Sequence, residues 1–216
     1  EVYSALVVML RGVKAGSFGN PPASRLDEFF YDRSDSDVRN AFDATIEKLG
    51  QHNWLEARPL PASFAELHAH HGTIMAVDAA QVHREAFERT PEAFSPQVAA
   101  LIESGLATPV MDYAQALAHH HTFRAEFQQA MQAGHLFLPA TPTAAPGRET
   151  TGDAIFNSPW SYSRLPAGTV LSGFTEQGVP VGVQIGGGDE LTLLRSAVWC
   201  ESQIGFQARP ALGPSV

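Results

Sequence analysis

The residues with the clearest capacity for chemistry are histidines in two clusters. One contains His68, His70 and His71, and the other contains His119, His120 and His121. Neutral imidazoles bind zinc, copper and nickel. Within one helix only residues three or four positions apart share a face, so His68 and His71 form a chelating pair and the consecutive trio does not. Because the sequence offers no third ligand near that pair, we predict no metal site.

Helical patterns carry both clusters. Residues 63–89 predict one long helix or two joined helices, and residues 96–106 and 111–131 predict two more. Upstream, apolar residues recur at helical spacing from Val38 to Leu49, with possible N-caps before them and a glycine after them. The middle third of the chain is therefore predicted to be almost entirely helical.

Strand patterns flank these helices. The predicted strands are residues 54–60, 136–138, 170–171 and 179–185. The glycine run at 186–188, followed by Asp189, is typical of a tight turn into a closing helix over 190–204, with Asp189 as the N-cap. Strands combined with helices in this order predict an α/β fold.

Composition and charge exclude several classes of protein. Of the 216 residues, 44% are apolar and 17% are charged, as in an ordinary globular protein. The net charge of −9 opposes a sequence-independent grip on nucleic-acid phosphates. A single cysteine, Cys200, cannot form an intramolecular disulfide, which fits a reducing cytoplasm. The apolar run at residues 5–10 is far shorter than the roughly 20 residues that cross a bilayer, so we predict a cytoplasmic protein with no membrane partner.

Five short segments between residues 138 and 186 follow one another in a specific order. They are Leu138-Pro139-Ala140-Thr141-Pro142-Thr143, Thr151-Gly152-Asp153, Phe156-Asn157-Ser158-Pro159-Trp160, Leu165-Pro166-Ala167 and Gly178-Val179-Pro180-Val181-Gly182-Val183-Gln184-Ile185-Gly186. Their order and spacing resemble the C-terminal region of amidase-signature enzymes. Upstream, Gly72-Thr73-Ile74-Met75-Ala76-Val77-Asp78-Ala79-Ala80, Val82-His83-Arg84 and Leu101-Ile102-Glu103-Ser104-Gly105 resemble the helical insertion of bacterial members. The similarity covers nearly the whole chain and is weakest before Arg25.

The resemblance implies a fold and a reaction. The fold is α/β, a mixed β-sheet flanked by helices, with residues 1–216 as a single C-terminal portion of the amidase-signature domain. Within it we expect a helical insertion at about 63–131 and the sheet and pocket side at about 134–207. The reaction is hydrolysis of a small-molecule amide without a cofactor.

The same resemblance implies that the catalytic groups are missing from this chain. Family members use a lysine, a bridging serine and a nucleophilic serine from a Gly/Ser-rich stretch of the N-terminal half. Here neither Lys14 nor Lys48 precedes such a stretch, and the glycines at 186–188 lead into an aspartate. We therefore assign no catalytic residue. The pattern predicts a helix at residues 2–10 and a linker or loop at 16–24. Because the chain has no initiator methionine and begins in what resembles the middle of a helix, we expect a fragment.

Removing the N-terminal strands would expose sheet edges that pair or aggregate. The expected partner is thus the N-terminal half of the same enzyme or a second copy of this chain. Two other functions stay open. One is the glutamine-hydrolysing subunit of a tRNA-dependent amidotransferase, and the other is a non-catalytic binding module.

By resemblance, the loop over residues 151–165 approaches the reacting centre. In it, Asn157, Ser158 and Trp160 supply an amide, a hydroxyl and an indole that could position a carboxamide and cover its apolar side. Arg164 stands where the family usually has glycine, and is either a pocket cation for an acidic group or an exposed loop residue. The structural alternative is that Asn157 caps a short helix and Trp160 fills the core.

Overall fold

The computed structural model describes residues 23–25, 28–50, 54–55, 59–131 and 134–205. The predicted helix at 2–10 and most of the predicted loop at 16–24 lie outside these ranges. The chain divides into two compact units. The sheet unit comprises Glu1–Pro59, Met131–Asn157 and Leu165–Val216, and the helical unit comprises Leu60–Ala130 and Ser158–Arg164.

The described strands form one mixed sheet in the sheet unit. They are β1 (Ala23–Arg25), β2 (Trp54–Leu55), β3 (His135–Pro139), β4 (Ala167–Phe174) and β5 (Pro180–Gly186). Their order is β2-β1-β3-β5-β4. β1 is parallel to β2 and β3, whereas β5 is antiparallel to β3 and β4. The predicted mixed α/β fold is confirmed, but the predicted loop is wrong at Ala23 and Ser24, which pair with β3.

The described α-helices agree with the sequence patterns except for the first, Glu28–Asp32, where no helix was predicted. They are α1 (Glu28–Asp32), α2 (Ser36–Leu49), α3 (Leu67–Arg89), α4 (Pro96–Ala107), α5 (Val110–Ala130), α6 (Ser158–Ser163) and α7 (Glu190–Ile204). α2 begins after Asp35, whose side chain accepts a hydrogen bond from the Val38 backbone, and α7 begins after Asp189, which accepts from the Thr192 backbone. Both are N-caps of the expected kind. No described helix is long and apolar enough to cross a membrane.

The core of the sheet unit lies on one face of the β4–β5 hairpin. Val170 and Val183 point to this face and are buried with Phe42 of α2 and Trp199 of α7. The opposite face of the hairpin carries Thr169, Leu171 and other residues that stay exposed. Because side chains alternate along a strand, this hairpin has a packed face and an open face.

The helical unit depends on close contact between α3 and α4. A Cβ added at Gly105 of α4 would overlap the carbonyl oxygen of Ala76 and lie 2.8 Å from the Cβ of Ala80. Ala76 and Ala80 are themselves buried. Small residues on both helices therefore let the two backbones approach each other.

Candidate amide-binding site

The sheet unit contains a cavity of about 520 Å³ on the open face of its hairpin. The wall consists of residues 140–146, residues 151–154 with Asn157, and residues of β4 and β5. Backbone hydrogen bonds hold the first loop in place: Ala140 donates to the Gly182 carbonyl at 3.0 Å, and Asp35 donates to the Pro142 carbonyl at 2.8 Å. The volume suits a small organic molecule.

Gly182 of β5 forms the floor of this cavity. A Cβ at this position would lie 2.6 Å from Cγ2 of Thr169 and 3.1 Å from the carbonyl oxygen of Val170. Any larger residue would have to displace the neighbouring strand or fill the cavity. The glycine thus preserves both the strand pairing and the depth of the site.

The amide of Asn157 is oriented by Gln184. Gln184 lies two residues beyond Gly182 on β5 and is only 4% exposed. Its Nε2 donates to Oδ1 of Asn157 at 2.8 Å. Because the amide oxygen of Asn157 accepts this hydrogen bond, its NH₂ group is the part of the amide that has no hydrogen-bond partner among the described residues.

Asp153 is the one charged residue among the described residues that line the cavity. Its Oδ1 accepts a hydrogen bond from the Ile155 backbone at 2.9 Å. Asn157 closes the same turn, since its backbone donates to the Ala154 carbonyl at 2.9 Å. Gly152 precedes them with a φ of 80°, a left-handed conformation that favours glycine. The turn therefore fixes a carboxylate and an amide on one wall.

Of the predicted site residues, Asn157 lines this cavity and the other three do not. Ser158, Trp160 and Arg164 belong to the helical unit. Ser158 begins α6, and Trp160 is 4% exposed with its ring centroid 5.3 Å from that of Phe127. The burial of Trp160 agrees with the alternative interpretation of this residue, in which it fills the core.

The sequence reasoning missed Asp153 and Gln184. The sequence signal for Gln184 is a polar residue within the apolar strand pattern Val181-Gly182-Val183-Gln184-Ile185. It lies two positions from Gly182 and therefore on the same face of the strand. Asp153 belongs to the segment Thr151-Gly152-Asp153, for which the sequence predicted no binding role. The turn brings Asp153 to the wall that carries Asn157, and the strand register brings Gln184 within hydrogen-bond distance of the Asn157 amide.

Arg164 is exposed and has a φ of 58°. The pKa of His120 is lowered mainly by burial and, as the second cause, by the positive charge of Arg164. A side chain in this left-handed conformation costs about 1–2 kcal/mol. We therefore expect Arg164→Gly to raise the free energy of unfolding, by about 0.5–1 kcal/mol once the flexibility of glycine in the unfolded chain is included. Urea unfolding followed by circular dichroism measures it.

Gly178→Ala is the matched control for that substitution. Gly178 has a φ of 80° and nothing within 4 Å of an added Cβ, so only backbone strain changes. We expect a loss of about 1 kcal/mol. A loss of stability in Arg164→Gly would show instead that the guanidinium makes a favourable contact.

The two histidine clusters meet in the helical unit, where His119 takes part in a hydrogen-bonded network. The rings of His70 and His119 are stacked with centroids 4.3 Å apart, and one ligand atom each from Glu66, His70 and His119 lies within 4.8 Å of the others. However, Nε2 of His119 donates to the Ser63 carbonyl at 3.0 Å, and Nδ1 lies 2.9 Å from the Tyr162 hydroxyl. Both ring nitrogens are therefore engaged.

Stacked imidazoles also hold their lone pairs in nearly parallel planes, here inclined by 30°, so the two lone pairs do not converge on one ion. The Tyr162 hydroxyl also lies 3.1 Å from the Ala116 carbonyl oxygen, and its single proton is donated either to this carbonyl or to Nδ1 of His119. Burial raises the pKa of Tyr162 to about 12, which keeps this donor protonated. The network joins α6 to α5, and we place no metal in it.

Comparisons with known proteins identify the family of this chain. The family described as Amidase matches residues 23–192. A glutamyl-tRNA(Gln) amidotransferase subunit of Zymomonas mobilis subsp. mobilis is 38% identical over 86 residues, which are 35% of this chain and 17% of that protein. The crystal structure of an amidase shares 27% identity with a TM-score of 0.77, over 88% of this chain and 47% of that one.

A further structure, the corresponding glutamyl-tRNA(Gln) amidotransferase subunit of Thermotoga maritima, has a TM-score of 0.64 at 20% identity, over 84% of this chain and 42% of that one. This likeness concerns the fold alone. In all three comparisons the match spans less than half of the relative's length. Because the family match covers most of the sequence and the fold agrees, the chain belongs to the amidase family.

Proposed function

We propose that the complete protein hydrolyses the C–N bond of a small carboxamide, and that this chain supplies sheet strands and part of the wall of its substrate pocket. The observation that carries the proposal is the cavity wall that includes Asn157, whose amide oxygen accepts a hydrogen bond from Gln184 and whose NH₂ group makes no hydrogen bond within the described residues. A carboxamide oxygen accepts hydrogen bonds from such a donor. Asn157 is thus proposed as a substrate-binding residue. Ser158, Trp160 and Arg164 are also proposed as substrate-binding residues, with less support because they do not line this cavity.

The reaction needs a nucleophile, a proton acceptor and donors for the oxyanion. The described residues that line the cavity include no lysine, serine or cysteine. Cys200 is buried, and burial raises the pKa of its thiol to about 12, so it is not a nucleophile. We propose that a lysine and two serines come from the remainder of the enzyme, and that the two portions assemble in the cytoplasm.

Glutamine is the second candidate substrate, because one relative is an amidotransferase subunit named for glutamyl-tRNA(Gln). Glutamine carries an ammonium and a carboxylate in addition to its amide. Among the described lining residues, Asp153 matches the ammonium and no cation matches the carboxylate. The cavity therefore supports a carboxamide in general better than it supports glutamine.

The test compares this chain alone with the chain joined to an N-terminal amidase portion that carries the serines and the lysine. We expect ammonia release from simple carboxamides only from the joined protein, because the nucleophile is in the added portion. In that protein, Asn157→Ala should lower kcat/KM about tenfold through the loss of one hydrogen bond to the substrate.

Two controls make the result specific. A serine-to-alanine change in the added portion should abolish turnover. The folded fraction of Asn157→Ala at the assay temperature should match that of the parent, although its melting temperature is expected to fall because the buried Gln184 loses an acceptor. Equal ammonia release from the 216-residue chain alone would contradict the proposal. A well-folded joined protein that hydrolyses no carboxamide would favour the binding-module alternative.

A further inference from the structure

We propose that this cavity prefers carboxamides whose far end carries a positive charge over those that carry a carboxylate, and that Asp153 sets this preference. The inference rests on the proposed function and names its substrate class. Asp153 is the one charged residue among the described residues of the wall. A ligand carboxylate would meet repulsion from it and find no compensating cation there.

The carboxylate of Asp153 is held in a fixed position. Its Oδ1 accepts from the Ile155 backbone at 2.9 Å, an Asx-type turn that local hydrogen bonding stabilises. The turn is closed by the Asn157 backbone, which donates to the Ala154 carbonyl at 2.9 Å. Oδ2 makes no hydrogen bond within the described part of the chain, so it is available to a cationic ligand.

Asn157 and Asp153 together define a polar pattern. Asn157 presents an NH₂ donor because Gln184 occupies its oxygen, and Asp153 presents an acceptor with negative charge. The same wall includes Ala140, Leu171 and Val181, which are apolar. A short aliphatic chain with a carboxamide at one end and an ammonium at the other offers a partner to each of these three features.

The size of the preference follows from Coulomb's law. A unit charge about 5 Å from another in water changes a binding constant about fourfold, in opposite directions for a cation and an anion. Salt reduces the effect. The ratio of dissociation constants between matched cationic and anionic amides is therefore expected to be about tenfold at low ionic strength.

The first experiment measures binding to the 216-residue chain as it is. The probes are 5-aminopentanamide, pentanamide and glutaramate, which share a carboxamide and differ mainly in the charge at the other end. Ligand-observed NMR titration should rank them cationic, neutral and anionic, from tightest to weakest. In Asp153→Asn the cationic-to-anionic ratio should fall to about twofold or less, because the amide oxygen of Asn keeps the bond from Ile155 and only the charge is lost.

Glu201→Gln is the matched control, because it removes one negative charge from an exposed residue of α7 that does not line the cavity. It should leave the ratio unchanged. In the parent chain the ratio should also shrink as salt rises to about 1 M. The inference is overturned if glutaramate binds as tightly as 5-aminopentanamide, if Asp153→Asn keeps the parent ratio, or if none of the three amides binds.

Turnover separates this inference from the proposed function. A joined protein that hydrolyses the three amides equally well would retain the function and refute the charge preference. A charge-dependent ranking in binding, with no hydrolysis by the joined protein, would retain the preference and refute the function.

Discussion

Replacing Gly105 with alanine is expected to lower the free energy of unfolding by about 3 kcal/mol, the upper range for overpacking a close interface. The added methyl group would overlap the carbonyl oxygen of Ala76. This obstacle is backbone and cannot rotate away, unlike the end of a flexible side chain. Helices α3 and α4 would have to separate, which would open contacts around Ile102, a residue with no exposure.

Gly72→Ala is the matched control for that result, since it makes the same change in α3 with nothing within 4 Å of the new methyl group. Alanine is a better helix former than glycine, so stability should rise by about 0.5–1 kcal/mol. Urea unfolding followed by circular dichroism at 222 nm, together with hydrogen exchange of residues 67–107, measures both variants. Equal effects of the two substitutions would contradict close packing at Gly105.

Trp160→Ala should lower the free energy of unfolding by about 3–5 kcal/mol, the usual cost of emptying a buried tryptophan site. The indole is 4% exposed and packs on Phe127. Trp160→Phe keeps an aromatic ring in the site and should cost clearly less. Chemical unfolding of both variants gives the comparison.

The same two variants also test the role in substrate binding that the sequence suggested for Trp160. We expect the dissociation constant of pentanamide to change less than twofold in Trp160→Phe, since the indole does not line the cavity. Weaker pentanamide binding in Trp160→Phe with unchanged stability would support a pocket-wall role for the indole instead.

The helices were predictable because their signals are local. Asp35 and Gly50 bound α2, and Asp189 and Gly205 bound α7, within a few residues of the apolar pattern that they terminate. Strand β1 was not predictable in the same way. Its residues pair with β3, where Ala23 lies opposite His135. The sequence around Ala23 contains no signal for a partner so far away in the chain.

The candidate site was predictable only in part. Asn157 has an amide in a suggestive loop, and the structure places it on the cavity wall. Gln184 acts on it from 27 positions away, through a strand register that a single sequence does not state. Ser158 and Trp160 follow Asn157 closely, yet they fold into the helical unit. A role for these two residues in the site stays a prediction.

The buried thiol of Cys200 can report on opening of the sheet unit through its rate of alkylation. It is the single cysteine in the sequence and is 1% exposed in the core of the sheet unit. An alkylating reagent can reach the thiol only when that core opens, so the alkylation rate in native buffer reads out the opening of the sheet unit without an engineered probe. Substitutions confined to the helical unit can thus be sorted into those that loosen their own unit and those whose effect reaches the sheet.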